Sequence, residues 1–183
     1  MQERTVRKNI LSLIFISVLM LSVLFLVYFF LKKPILNAQE NAELEKIKSA
    51  LPLFNNNPLD SSVTFDDLIF YTAKKDDSIV GYACITFTEK GFNDRFWIMA
   101  GFLPDGTLYE TIVLEQNETP GFGDRIKTQW KDQFNGKNPA TYKLLVKDDG
   151  GDVDAISGST ISSRAFCDAV QKAYAAFYKG MKK

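Results

Sequence analysis

At 183 residues the chain has room for one ordinary domain and an appendage, and a composition 46% hydrophobic and 24% charged suits a folded protein. Its 22 basic and 22 acidic residues balance, yet the stretch through Lys33 holds Arg4, Arg7, Lys8, Lys32 and Lys33 against Glu3 alone, leaving 17 basic and 21 acidic beyond it. A mildly acidic remainder without basic stripes excludes a nucleic-acid binder. The absence of histidine, with only Cys84 and Cys167 as thiols, excludes the commonest general base, an iron–sulfur cluster and a structural zinc site.

Redox or group-transfer chemistry in such a chain has to come from a cofactor. The two cysteines read as small buried hydrophobes, with one disulfide as the other reading for a domain outside the cytoplasm.

Residues 10–31 run without a charge. As a helix they would span about 33 Å, enough for a bilayer core of about 30 Å. Tyr28 and the pair Lys32–Lys33 fit an interfacial belt at one end. A cleaved signal peptide is the rival, but its apolar core is usually only about 7–15 residues, so the segment reads as a retained anchor. The slight excess of Arg4, Arg7 and Lys8 over Lys32 and Lys33 sets residues 1–9 in the cytoplasm and the large domain outside. The span holds no carboxylate on which an ion could be carried through the membrane.

Leu44, Ile47 and Leu51 predict a membrane-proximal amphipathic helix over 37–51, closed by Pro52. A loop follows at 55–58. Strands are expected at 63–72 and 78–88, separated by a polar turn at 74–77. Strands at 96–103 and 107–116 would be joined by Pro104–Asp105–Gly106. Ile126, Trp130 and Phe134, four apart, predict a helix over 124–134 capped by Asp124. A strand at 142–146 precedes the clearest helix, 162–179, where Phe166, Ala169, Val170, Ala173, Tyr174 and Phe177 form one apolar stripe and Gly180 ends it. The expected fold class is α+β: a transmembrane helix, then one domain of antiparallel strands and packed helices. The expected organisation is 1–9, the 10–31 span, a proximal helix and linker over 32–60, and the domain over 61–183.

Two segments carry more small and polar residues than packing requires. Residues 154–163, Asp-Ala-Ile-Ser-Gly-Ser-Thr-Ile-Ser-Ser, lie before the closing helix. They read either as ordinary N-capping residues or as a phosphate seat, where small residues let backbone amides approach a ligand at the positive end of a helix. Residues 118–124, Glu-Thr-Pro-Gly-Phe-Gly-Asp, read either as a turn or as a tight loop against a planar ligand with Phe122 as contact surface.

On these two motifs, in this order, together with the N-terminal anchor and the stretch 105–115, the chain resembles the G subunit of the Rnf (Rsx) ion-translocating ferredoxin:NAD oxidoreductase complex. It is more distantly similar to the C subunit of the sodium-pumping NADH:quinone oxidoreductase. The resemblance implies FMN esterified through its phosphate to Thr160, installed from FAD by a flavin transferase. It also implies that Ser157, Gly158 and Ser159 shape the phosphate pocket and that Glu118, Thr119 and Gly121 lie near the flavin. Ser159 stands where the family usually has alanine, and Phe122 where it usually has leucine. The implied role is electron transfer inside a complex in the inner membrane, with the other subunits, the transferase and lipid as partners, and no catalysis by this chain alone. Two other readings stay open: the equivalent subunit of the sodium-pumping enzyme, and a non-redox anchored scaffold in which both motifs are only caps and turns.

Overall fold

The structure, a computed structural model, describes residues 2–181, with side chains from Leu13 onward. The side chains of Arg4, Arg7 and Lys8, on which the expected orientation rests, lie outside the described ones, as do residues 182 and 183 of the expected domain. The chain divides into a unit up to Ala42 and a globular unit from Glu43.

Helix α1 runs without interruption over Gln2–Ala50. The span and the proximal helix expected from the sequence are therefore one element. Pro34 sits inside it, where a proline removes one backbone bond; the strong helix formers on either side carry the helix through. From Leu13 onward it contains one stretch long and apolar enough to cross a membrane.

In the globular unit, strands β1 (Ser62–Phe65), β2 (Leu68–Lys75), β3 (Ser78–Thr88), β4 (Phe96–Phe102) and β5 (Leu108–Glu115) form an antiparallel sheet in sequence order. The single strand expected over 63–72 is a hairpin. Asp66 and Asp67 both take left-handed backbone (φ 53° and 62°), as Asp76 and Asp77 do in the next turn (50° and 64°). Two consecutive positive φ angles are what a two-residue hairpin demands, and aspartate tolerates them. The Pro104–Asp105–Gly106 hairpin forms as expected, with Gly106 at φ 92°.

Both faces of the sheet are covered. Alternate residues of β4 (Phe96, Ile98, Ala100 and Phe102) join one core with Phe166, Ala169, Val170, Ala173 and Phe177 of helix α2 (Thr160–Gly180). Phe177 stacks on Phe102 at 5.0 Å between centroids. Each such ring contributes about 2 kcal/mol by burial. On the other face Ile47, Ala50 and Leu51 pack with Tyr71, Ala73, Ala83 and Met99. Glycine makes that approach feasible: a β-carbon on Gly101 would stand 1.8 Å from the Ala50 carbonyl oxygen. Gly180 is the last residue of α2 rather than a stop beyond it, and a β-carbon there would meet the Phe65 ring at 2.8 Å.

Two expected elements differ. Residues 124–134 form two 3-10 turns, Gly123–Lys127 and Gln129–Phe134, parted by extended Thr128 (φ −90°, ψ −169°). Asp124 makes no capping bond; Phe122 holds the N-cap position. The segment is fastened sideways instead. Trp130 Nε1 donates to the Asp154 carbonyl at 2.6 Å, and Asp154 N–H donates to Gln133 Oε1 at 2.8 Å. Ile126 and Phe134 still reach the core. Residues 142–146 form no strand, only a single parallel bridge between Val146 and Val153. Their amides are spent elsewhere than on a ladder: Tyr142 N–H donates to the Asn138 carbonyl, Lys143 N–H to the Asp152 carboxylate and Leu145 N–H to the Lys143 carbonyl.

Candidate cofactor site

Residues 156–163 make a tight entry into α2. Ser159 N–H donates to the Ile156 carbonyl at 2.9 Å, and Gly158 between them stands at φ 77°, a conformation open to glycine at no steric cost. Ser159 occupies the N-cap position, yet its side chain caps nothing. Ser163, one turn on, braces the entry from inside: its hydroxyl accepts from Ile156 N–H at 2.9 Å and donates to the Ser159 carbonyl at 3.0 Å. Among the described residues no protein acceptor meets the backbone N–H groups of Thr160, Ile161 and Ser162. Those three amides and the positive end of a 21-residue helix form an anion seat.

The second motif closes over the first. Thr119 carbonyl accepts from Phe122 N–H at 3.2 Å and Asp124 N–H at 3.3 Å, and Gly121 supplies φ 78° at the bend. The Phe122 ring then lies on Gly158, close enough that a β-carbon there would sit 3.3 Å from the ring. Glu118, 4% exposed, accepts from the Ser162 hydroxyl through one carboxyl oxygen and from Asn93 N–H at 3.3 Å through the other. Gly123 packs on that pair: its β-carbon would stand 2.6 Å from both Glu118 Oε2 and Ser162 Oγ. Asn93 Nδ2 donates to the Asn117 carbonyl at 2.8 Å and so draws the loop bearing Phe92 to the same place.

Between these segments lies a cleft of about 490 Å³, lined by Glu118, Thr119, Phe122, Gly158, Thr160 and Ser162, with Phe92, Gly123, Ser159 and Ile161 completing it. Five of the seven residues expected at the site, Glu118, Thr119, Gly158, Ser159 and Thr160, are brought together there. Ser157 and Gly121 sit in the flanking turns and do not line it. Phe92 is a lining residue that the sequence does not single out, and Ser162 lies within the segment 154–163 without a role of its own there. Phe92 carries the same signal as Phe122, an aromatic next to a glycine amid polar residues, whereas Ser162 is found only through its partner 44 residues away.

The chemistry of the lining is consistent with a flavin phosphate. Among the described residues Glu118 is the only charged side chain in it, so an anion there would be held by amides and the helix dipole rather than by a cation. Phe92 (62% exposed) and Phe122 (55%) offer apolar faces at the rim to a planar ring. FMN fits the residues present.

Known proteins agree. The FMN-binding domain family matches residues 91–175. The chain is 40% identical over 108 residues to the G subunit of the ion-translocating oxidoreductase complex of Erwinia tasmaniensis, covering 56% of this chain and 51% of that one. It is 33% identical over 160 residues to the protein of the same name from Haemophilus influenzae, covering 80% and 77%. To the G subunit of the Na(+)-translocating ferredoxin:NAD(+) oxidoreductase complex of Acetobacterium woodii it is 32% identical over 104 residues, covering 55% and 50%. The chain thus spans about half the length of two of these relatives and about three quarters of the third. A crystal structure of Shewanella oneidensis NqrC aligns at 21% identity with a TM-score of 0.46, over 74% of this chain and 68% of that one. With the Haemophilus match covering more than two thirds of both partners, this chain belongs to the family of G subunits of ion-translocating oxidoreductase complexes.

Proposed function

We propose that this chain is the FMN-bearing electron carrier of a membrane-bound, ion-translocating ferredoxin:NAD oxidoreductase complex, with the flavin esterified through its phosphate to Thr160 and the globular unit on the extracytoplasmic side. FMN, when bound, supplies reversible one- and two-electron redox chemistry. The single observation that carries the attachment is the anion seat at Thr160: three unpaired amides, an N-cap serine that does not use them, and a hydroxyl in the first helical position.

Charge favours an ester over a free nucleotide. A phosphomonoester near neutral pH carries close to two negative charges, a phosphodiester one. A seat built of amides, with Glu118 in the same lining and no lysine or arginine there, suits the smaller charge. Attachment joins Thr160 Oγ1 to the flavin-side phosphorus of FAD. The phosphoanhydride bond breaks, AMP leaves, and the hydroxyl proton is released to solvent or the transferase. Phe122 and Phe92, at the rim of the cleft, would hold the ring of a bound flavin, and Glu118 keeps the helix start in place through Ser162.

Protein purified from membranes of cells that also make the flavin transferase tests this reading. The account expects fluorescence that stays with the denatured band in a gel and a mass raised by one FMN. Thr160→Ala should remove both, and an adduct persisting in that variant would refute the assignment.

A further inference from the structure

Five hydroxyls crowd between Ser157 and Ser163, so attachment at one of them calls for a device that excludes its neighbours. Ser159, next to Thr160, lines the cleft and its side chain makes no capping bond; the other three are set apart in different ways. Ser163 spends its hydroxyl on Ile156 and Ser159, inside the entry to the helix. Ser157 is exposed in the flanking turn and does not line the cleft. Ser162 is the pertinent rival: it lines the same cleft as Thr160, a short step along the same amide row, and its oxygen is just as capable of bonding phosphorus. Its hydroxyl is held by the Glu118 carboxyl, and the pair is buried, at 1% and 4% exposure. Gly91 and Gly123 shape a cage with room for nothing larger than hydrogen, since a β-carbon on Gly91 would stand 2.8 Å from one Glu118 oxygen and one on Gly123 would stand 2.6 Å from the other.

Resting on the reading above, we propose that Glu118 is a positioning residue that keeps flavin attachment off Ser162 by holding the Ser162 hydroxyl out of the reaction. The chemistry is the same at either oxygen: an O–P bond forms, the anhydride of FAD breaks, AMP departs and a proton is lost. What differs is the freedom of the oxygen. Ser162 is 1% exposed and its rotamer is fixed by the bond to Glu118, so phosphorus reaches its oxygen only after that pair opens, which suppresses its reaction by about tenfold or more. Thr160 Oγ1 has no such bond.

The test is peptide-level mass spectrometry of the full-length chain, co-produced with its transferase, reading which residue between 154 and 164 carries FMN. Wild type should carry it on Thr160. In Glu118→Ala the share on Ser162 should rise about tenfold or more, and in a Thr160→Ala, Glu118→Ala double variant Ser162 should become the acceptor. Glu118→Gln, whose amide oxygen still accepts from Ser162, should restore the wild-type distribution. A merely structural loss would lower total adduct without moving it. Gly123→Ala gives an independent route, because its β-carbon wedges Glu118 from Ser162, and should shift the distribution as Glu118→Ala does. Ser162 free of flavin in both Glu118→Ala and Gly123→Ala overturns the proposal, whether the adduct stays on Thr160 or disappears. Wild type without any flavin would instead overturn the attachment itself.

Discussion

The Phe122 ring rests on Gly158, so that a β-carbon on Gly158 would lie 3.3 Å from one ring carbon and 3.4 Å from another. The contact joins two sequence motifs 36 positions apart and sets the width of the cleft between them. Gly158 is constrained twice, by the ring and by φ 77°. Gly158→Ala is therefore expected to lower stability by about 1–2 kcal/mol, the usual cost of left-handed backbone in a residue with a β-carbon. It should also reduce the fraction of molecules that acquire flavin. Thermal unfolding and intact mass on one preparation measure both, and an alanine variant equal to wild type in both would refute the constraint.

Phe122 separates site from scaffold. Its ring is 55% exposed, so Phe122→Ala should change stability by no more than about 0.5 kcal/mol. The same variant uncovers one side of the cleft, and flavin absorption and the accessibility of bound flavin to a soluble quencher should both change. Unaltered spectra would take Phe122 away from the ring.

The motifs are legible in the sequence because their signals are local. Gly158 and the hydroxyl cluster stand immediately before a strong apolar stripe, and Pro104–Asp105–Gly106 is a turn by chemistry alone. The stripe on α2 likewise follows from short-range periodicity. What stays hidden depends on distant partners. Ile126, Trp130 and Phe134 have helical spacing, but cross-links from Trp130 and Gln133 to Asp154 hold the segment as two 3-10 turns. Leu144 and Val146 are buried like strand residues, yet no neighbouring strand is there to pair with them. Asp66–Asp67 lacks the glycine that usually marks a two-residue hairpin. Ser162 gains its meaning only from Glu118.

Gly101 tests the packing beneath the sheet. A β-carbon 1.8 Å from the Ala50 carbonyl oxygen has no flexible neighbour to displace, so Gly101→Ala should cost about 3 kcal/mol and loosen the end of α1 from the sheet. Denaturation of the detergent-solubilised chain measures the loss. Gly136→Ala is a control for the denaturation, since nothing lies within 4 Å of its β-carbon and only its positive φ is strained.

Alkaline pH should destabilise the domain. Burial pushes the Cys167 thiol up to about 12, and also raises Cys84, where Lys172 partly offsets it. Tyr71 is raised by burial first and then by its hydrogen bond to Glu43. A group whose folded pKa is raised gives stability that is complete below its unfolded value, about 8.5 for a thiol, and that fades as pH climbs toward the folded one. Tm should therefore fall between about pH 8.5 and 11, and Cys167→Ala should flatten part of that fall. Both thiols are free and buried, so a maleimide should label them in urea and not in the native chain at neutral pH.

Thr160 carries the whole functional account, and the weight of the intact protein interrogates it most directly. Material drawn from its native membrane, with the modifying enzyme present, should exceed its amino-acid mass by a single FMN, and fragmentation should place that increment on Thr160. Thr160→Ser, which keeps a hydroxyl at the helix start, should retain it, whereas Thr160→Val should not. Native protein that weighs only what its amino acids weigh would contradict the account at its centre.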